Sequence, residues 1–438
     1  MLMRILYTTM NLQKAGSHVV ALTLASGMAE KHEVFYFNHG EQLVDAGMVK
    51  AYLKPEVRLL DITCYPTLNK ALWKINGLLK RLTGYAGFHE LCKTFVFLFM
   101  IVRHRIELVH GHEILTKYSK LAKVARLLSV PIVVTDHNGY TMLLKVGDTS
   151  FYPYANQAKA IIAVSHYTAR VLREGTTHES SEKLRAYGEK VLASDHKAEY
   201  DSLKSNQSTT PIAVPLTVPV TTIYNGVLRY NKSLPVPTTI KESLGIMPNA
   251  LVFGMIARGT EQKGWRFALA AYQQLKQQYP QRHFNWLCMG DGPCIQEIKA
   301  ELGTQHPDII FVGNVDDPHY YMSVCDVGIV PSSFSEGLPL SIVEFFEHRV
   351  PVIGSDLCGI PEVITPDNAE PGGFLIEMEE DSTPCISSLL SHMARYVDDA
   401  TLLNKHGEAA LAIRRRFDMD QFIAAHEQLY THVLASTK

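Results

Sequence analysis

The sequence lacks most of the features that would place it quickly. Its 42 Lys and Arg are balanced by 44 Asp and Glu, a formal net charge of −2, and without a basic excess to neutralise phosphates a nucleic-acid partner is not expected. The seven cysteines, at 64, 92, 288, 294, 325, 358 and 385, include no CxxC pair. Neither a disulfide framework nor a zinc site is signalled, and reduced cytoplasmic thiols are the expectation. The longest apolar run, Thr94 to Val102, falls well below the roughly 20 residues of a membrane-spanning helix. The opening MLMRILYTTM has too short an apolar part for a signal peptide and reads as a buried strand. No repeat is present. No GxGxxG with a trailing acid follows a strand and no Walker lysine loop occurs, which disfavours a nicotinamide oxidoreductase and a P-loop kinase.

What is present is an α/β rhythm over 438 residues, 46% hydrophobic and 20% charged, long enough for two or three domains. A strand from Arg4 to Thr9, a turn at Ala15, Gly16 and Ser17, a helix to about Lys31 and a strand from Glu33 to Asn38 form one β-α-β unit. Gly16 serves there either as a simple turn former or as a close approach for a phosphate or sugar. Strands follow at Glu107 to His112, Ile132 to Asp136, Ala160 to Val164 and Thr221 to Tyr224. His110 and His112 share a strand face, but no third ligand is spaced to join them, so they read as structural or substrate-contacting. Residues 176–218 break the rhythm as a polar insertion, helical over 180–199. The Pro-spaced LPVPT of Leu234 to Thr238 reads as a linker, after which a second α/β series begins.

Between Pro66 and Arg105 stand seven Lys or Arg and one acid, Glu90, with Leu72, Ile75, Leu79 and Leu82 at helical spacing. Such a helix either lies on an anionic membrane surface or packs in the core with its lysines in water.

The most informative stretch runs from Pro331 to Ile364. It carries Glu336 in a Ser, Gly and Pro loop and, after seven intervening residues, Glu344 in the first turns of a helix opened by Pro339. A loop feeding a helix start presents main-chain N–H groups to phosphate or sugar oxygens. Upstream, Arg258 and Lys263 flank the turn after the strand Leu251 to Ile256, where cations reach ligands in open α/β sheets. An Arg fork beside a Lys point charge suits a diphosphate. Two carboxylates also fit a glycosidase, but a hydrolase of neutral sugars does not need the cation pair.

Taken together these residues resemble the retaining glycosyltransferases of family 4. The matching pattern is Glu336, Gly337, Leu338, Pro339 and Glu344, then Pro351, Val352, Ile353, Gly359 and Glu362, with Arg258, Lys263 and Gly264, the Gly290–Pro293 turn, and Asn225 with Gly226. The resemblance implies the GT-B fold: two Rossmann-like domains facing each other across a cleft, with the C-terminal helix crossing back to the N-terminal domain. The expected division is 1–230 for acceptor binding (with the insertion), 231–417 for nucleotide-sugar binding, and 418–438 for the returning helix. It implies further that Arg258 and Lys263 neutralise the diphosphate, Glu344 reads the ribose and Glu336 lies against the donor sugar. His137 would face that sugar, and Gly16, Gly290, Asp291, Gly292, Gly337, Leu338 and Pro339 would line the donor site. No metal and no cofactor are expected, the nucleotide sugar being a substrate. The acceptor would be a glycan or a lipid-linked sugar in surface polysaccharide or lipopolysaccharide synthesis, reached from the cytoplasm or the inner face of the membrane. The alternatives are a nucleotide-sugar epimerase of the same fold or a catalytically silent nucleotide-sugar-binding subunit. The chain departs from the family pattern at Ala15, at Ala257 and at Cys358, where glycine is usual.

Overall fold

The computed structural model describes residues 2–40, 43–60, 65–84, 87–116, 119, 121, 127–145, 147–175 and 215–437. Nearly all of the expected insertion and its helix therefore lies outside the described residues. Its last residues are described, and Leu216 and Val218 pack against the first domain's core.

Two parallel sheets organise the chain. The first contains β1 (Arg4–Thr9), β2 (Glu33–Asn38), β3 (Arg58–Leu59), β4 (Leu108–Gly111), β5 (Ile132–Asp136), β6 (Ala160–Ala163) and β7 (Val220–Thr222), in the order β3-β2-β1-β4-β5-β6-β7. The second contains β8 (Leu251–Ile256), β9 (Phe284–Met289), β10 (Ile309–Gly313), β11 (Val327–Val330), β12 (Val352–Ser355) and β13 (Gly373–Ile376), in the order β10-β9-β8-β11-β12-β13. Strands such as FNWLCM of β9 are buried at every position, because a parallel sheet carries helices on both faces and so reads as a continuous apolar run. Each sheet accordingly separates two apolar clusters.

The strand order reverses between β1 and β4 in one sheet and between β8 and β11 in the other. A reversal parts the loops at the carboxyl ends of the strands and leaves a crevice where ligands bind. The two crevices face each other, as contacts across the domains show. Ser335 Oγ donates to Asn138 Oδ1 (2.9 Å), and Lys145 Nζ donates to the Phe334 carbonyl (3.0 Å). Glu362 accepts from the main-chain N–H groups of His166 (2.8 Å) and Tyr167 (2.7 Å), at the start of the helix His166–Glu174, and from the Tyr224 hydroxyl (2.8 Å). A carboxylate at a helix start satisfies N–H groups that have no intrahelical partner.

The final helix, Met419–Thr437, lies on the first domain. Its Tyr430 hydroxyl is 3.1 Å from that of Tyr7 and 2.5 Å from Nδ1 of His110. Ile423 sits over Gly27, where a Cβ would lie 2.2 Å from its Cδ1. The segment expected to be a linker runs directly into a helix, Pro237–Ser243, with Pro at its start, where the missing N–H costs nothing.

The basic helix spans Pro66–Thr83 and buries only Leu72 and Asn76. Ile75 is 44% and Leu82 73% exposed. Among the described residues, then, Leu72 is covered and Leu79 half-covered, while Ile75 and Leu82 face outward.

Candidate active site

The second domain supplies three interlocked turns. Gly259 N–H donates to the Asp291 carbonyl (2.8 Å), and Gly290 N–H donates to the Gly313 carbonyl (2.8 Å). These bonds join the ends of β8, β9 and β10. Gly290 has φ 136°, and a Cβ there would lie 1.9 Å from the Ala257 carbonyl oxygen, so only glycine fits. Asp291 Oδ1 accepts from Gly292 N–H (2.8 Å) and holds that turn. Gly264, at φ 76°, starts the helix Trp265–Gln278 with its Cα against the Pro331 carbonyl. The Arg258–Lys263 turn and the Glu336 loop are thereby one assembly, tied again by Ser333 N–H to the Gln262 carbonyl (2.9 Å).

The charges differ in one respect from the sequence expectation, in which both cations were left to a diphosphate and both acids to hydroxyl groups. Lys263 Nζ is ion-paired with Glu336, whose Oε1 also accepts from Ser332 Oγ (2.7 Å). The pair is 73 residues apart in sequence, and no periodicity connects its two halves. Arg258 is exposed and has no ion pair among the described residues. It is the cation left uncompensated at this turn, while Lys263 and Glu336 form a neutral, oriented unit.

Glu344 lies on the helix Leu340–Glu347, which Pro339 precedes. Its side chain keeps some surface at the cleft, but the carboxyl group is crowded by protein and has no hydrogen-bond partner among the described residues. Burial pushes its pKa up to about 7, because a charge without a partner is poorly solvated there. Tyr52 of the first domain feels the same carboxylate. Burial first, and the Glu344 charge second, raise the pKa of its phenol.

The first domain brings Gly16, His112 and His137 to the same crevice. A Cβ on Gly16 would meet Leu340 Cδ1 at 3.3 Å, so this glycine lets the first helix of the chain approach the helix that carries Glu344. His137 follows β5, and its Nε2 is 2.9 Å from Nδ1 of His112. Burial lowers the pKa of both imidazoles, that of His137 to about 3, so the pair is neutral at neutral pH, with one nitrogen donating to the other. Gly337 runs alongside: a Cβ would lie 3.0 Å from the His137 carbonyl oxygen and 2.9 Å from Val164. The main-chain N–H groups of Gly337 and Leu338 have no partner among the described residues. His110 is placed differently. It is hydrogen-bonded at Nδ1 to Tyr430 and at Nε2 to Thr135 (2.7 Å), a structural role behind the crevice.

Three contributors were not singled out from sequence: Lys145, His112 as the partner of His137, and Ser332. At Cys358, one departure from the family pattern, the backbone shows why glycine is usual. Its φ is 55°, in the left-handed region that glycine adopts freely, and its thiol is buried near the Phe334 carbonyl and Lys145.

With this geometry in place, the comparisons with known proteins are specific. The family described as Glycosyltransferase Family 4 matches residues 14–181, and that described as Glycosyl transferases group 1 matches residues 248–399. The chain belongs to these glycosyltransferases. TuaC of Bacillus subtilis, named as a teichuronic acid biosynthesis glycosyltransferase, is 25% identical over 260 residues, 58% of this chain and 54% of TuaC. An uncharacterized glycosyltransferase of Methanocaldococcus jannaschii is 29% identical over 131 residues, 29% of this chain and 31% of that protein. The match thus spans about half the length of these curated relatives or less. HepE of Anabaena, solved in complex with UDP and glucose, superimposes with a TM-score of 0.66 at 17% identity, covering 99% of this chain and 100% of HepE. The fold of this glycosyltransferase is GT-B.

Proposed function

We propose that this glycosyltransferase is a retaining, metal-independent enzyme that moves a sugar from a nucleotide sugar to a glycan or lipid-linked acceptor in the synthesis of a surface polysaccharide. The observation that carries the reading is Arg258, just past the end of β8 and uncompensated among the described residues, on the same assembly as the Glu336 loop, whose Gly337 and Leu338 N–H groups have no partner among those residues. Breaking the bond from sugar to diphosphate builds negative charge on the phosphate oxygen. A cation fixed in place before the reaction stabilises that charge more in the transition state than in the ground state. Arg258 takes this part, and the Lys263–Glu336 unit opens to give Lys263 to the phosphate and Glu336 to the sugar hydroxyls. Glu344 accepts from the ribose. The neutral His137 lies against the sugar, held by His112. In a front-face transfer the departing phosphate oxygen accepts the acceptor's proton, so neither glutamate acts as nucleophile.

HepE's complex with UDP and glucose makes uridine the first base to test. The experiment measures thermal stabilisation by UDP, GDP, ADP and CMP, since a ligand of the native state raises its stability by mass action. The best donor is then turned over with candidate acceptors and the anomeric configuration of the product read by NMR. Stabilisation by one nucleoside diphosphate and retention at the anomeric carbon are expected. An inverted product, or no stabilisation by any of the four, overturns the reading.

A further inference from the structure

We propose that the helix pair Pro66–Thr83 and Phe88–Arg103 is a docking surface for a bilayer that presents anionic headgroups. The two helices pack on each other. His89 bonds Asn69 (2.8 Å) and stacks on Trp73, and the His89 N–H donates to Asn76 Oδ1 (3.2 Å). The second helix buries His89, Lys93, Phe97, Met100 and Ile101 on its inner side. Its outer side carries Leu91, Phe95, Phe99 and Val102, with Phe95 62% and Phe99 61% exposed. Their spacing of four, four and three residues places them on one stripe. The first helix adds Leu78 at 57% and Leu82 at 73%. Single exposed apolar residues are ordinary on a protein surface; two packed helices that both turn several apolar side chains outward are the kind of surface that marks an interaction site.

Charge identifies that partner. Lys70, Lys74, Lys80 and Arg81 on the first helix and Arg103 on the second make no ion pair among the described residues. The one acid in the two helices, Glu90, is taken by Lys93 (2.5 Å). A second copy of the chain seated on this face by a two-fold axis would set like charges against one another. An anionic bilayer satisfies both features: headgroups receive the cations and the acyl boundary receives the aromatic and leucine side chains. Lys and Arg stems run along the apolar stripe while their heads reach the headgroups. The inference rests on the transferase reading only for its consequence, that a lipid-linked acceptor is presented to the first domain by the membrane on which the enzyme sits.

The test is co-sedimentation of the full chain with phosphatidylcholine vesicles, with and without phosphatidylglycerol, at low and high salt. Binding is expected only with phosphatidylglycerol and is weakened by salt. Lys70→Ser/Lys74→Ser/Arg81→Ser lowers the partition coefficient on the order of 10²-fold, each basic residue contributing severalfold near an anionic surface. Phe95→Ser/Phe99→Ser lowers binding at both salt concentrations. The charge variant lies on exposed positions and keeps the native unfolding midpoint, so it remains informative even if the phenylalanine variant misfolds. Both variants retain the thermal response to nucleotide, which separates this inference from the proposed reaction. Absence of binding by the wild type, equal binding by the charge variant, or a dimer in sedimentation velocity that Phe95→Ser/Phe99→Ser dissociates without any vesicle binding overturns it.

Discussion

Replacing Glu344 with glutamine removes a carboxyl group that the protein crowds without pairing. Burial holds it at about 7 instead of the ordinary 4.5. That difference corresponds to about 2–3 kcal/mol, the lower end allowing for the surface the side chain keeps at the cleft. The sign follows from linkage: a carboxyl whose folded pKa is raised contributes stability that is complete below its ordinary value and is lost as pH rises through the folded value. The wild type therefore loses about 2–3 kcal/mol between pH 4.5 and somewhat above 7, and Glu344→Gln does not. For a cooperative unit of 150–250 residues each kcal/mol moves Tm by about 2–4 °C, so the variant should melt roughly 5–10 °C higher at pH 8. The gap should close at pH 4.5. Nucleotide binding reverses the preference, because ribose hydroxyls donate to the ionised carboxylate. Wild-type affinity for the nucleotide should fall up to about tenfold per pH unit below pH 7, while the variant binds weakly and without that dependence. Thermal unfolding at the two pH values and nucleotide titration calorimetry across the range read both effects. Equal wild-type and variant melting at pH 8, or tight pH-independent binding by Glu344→Gln, would refute the reasoning.

Arg258→Ala should cost roughly 10²-fold or more in turnover, by analogy with loss of one oxyanion donor, with Tm unchanged because the side chain is exposed and unpaired; unchanged turnover removes Arg258 from the diphosphate. Glu362→Ala strips an acceptor from His166 N–H, Tyr167 N–H and the Tyr224 hydroxyl and should destabilise the domain junction by about 1.5–3 kcal/mol. A larger radius of gyration in solution scattering would accompany that loss, and a variant as compact and stable as wild type would show that the contact contributes nothing. Gly290→Ala forces a Cβ to 1.9 Å from the Ala257 carbonyl at φ 136°. It should lower Tm sharply and weaken nucleotide binding together, whereas Gly303→Ala, with no atom within 4 Å of its Cβ, should cost only its backbone strain.

The sequence by itself determined where the second domain places its candidate site residues. Its signals are local: a strand ending in Arg258 with Lys263 a few residues on, glycine turns after β8 and β9, and a loop with Glu336 that feeds a proline-led helix bearing Glu344. Each lies within a few residues of a strand end, where spacing and turn chemistry are enough to place a side chain. Only the tertiary structure decided how the charges are shared. Lys263 pairs with Glu336, His112 orients His137, and Asn138 and Lys145 of the first domain hold the Glu336 loop across as many as 197 residues of chain. Nothing in the periodicity of either partner encodes such a meeting, since it depends on how two separately formed sheets face each other. The same limit applied to the basic helix. Its pattern marked one apolar side, but whether that side is covered depends on what packs against it, and here, among the described residues, Leu72 is covered while Ile75 and Leu82 face outward.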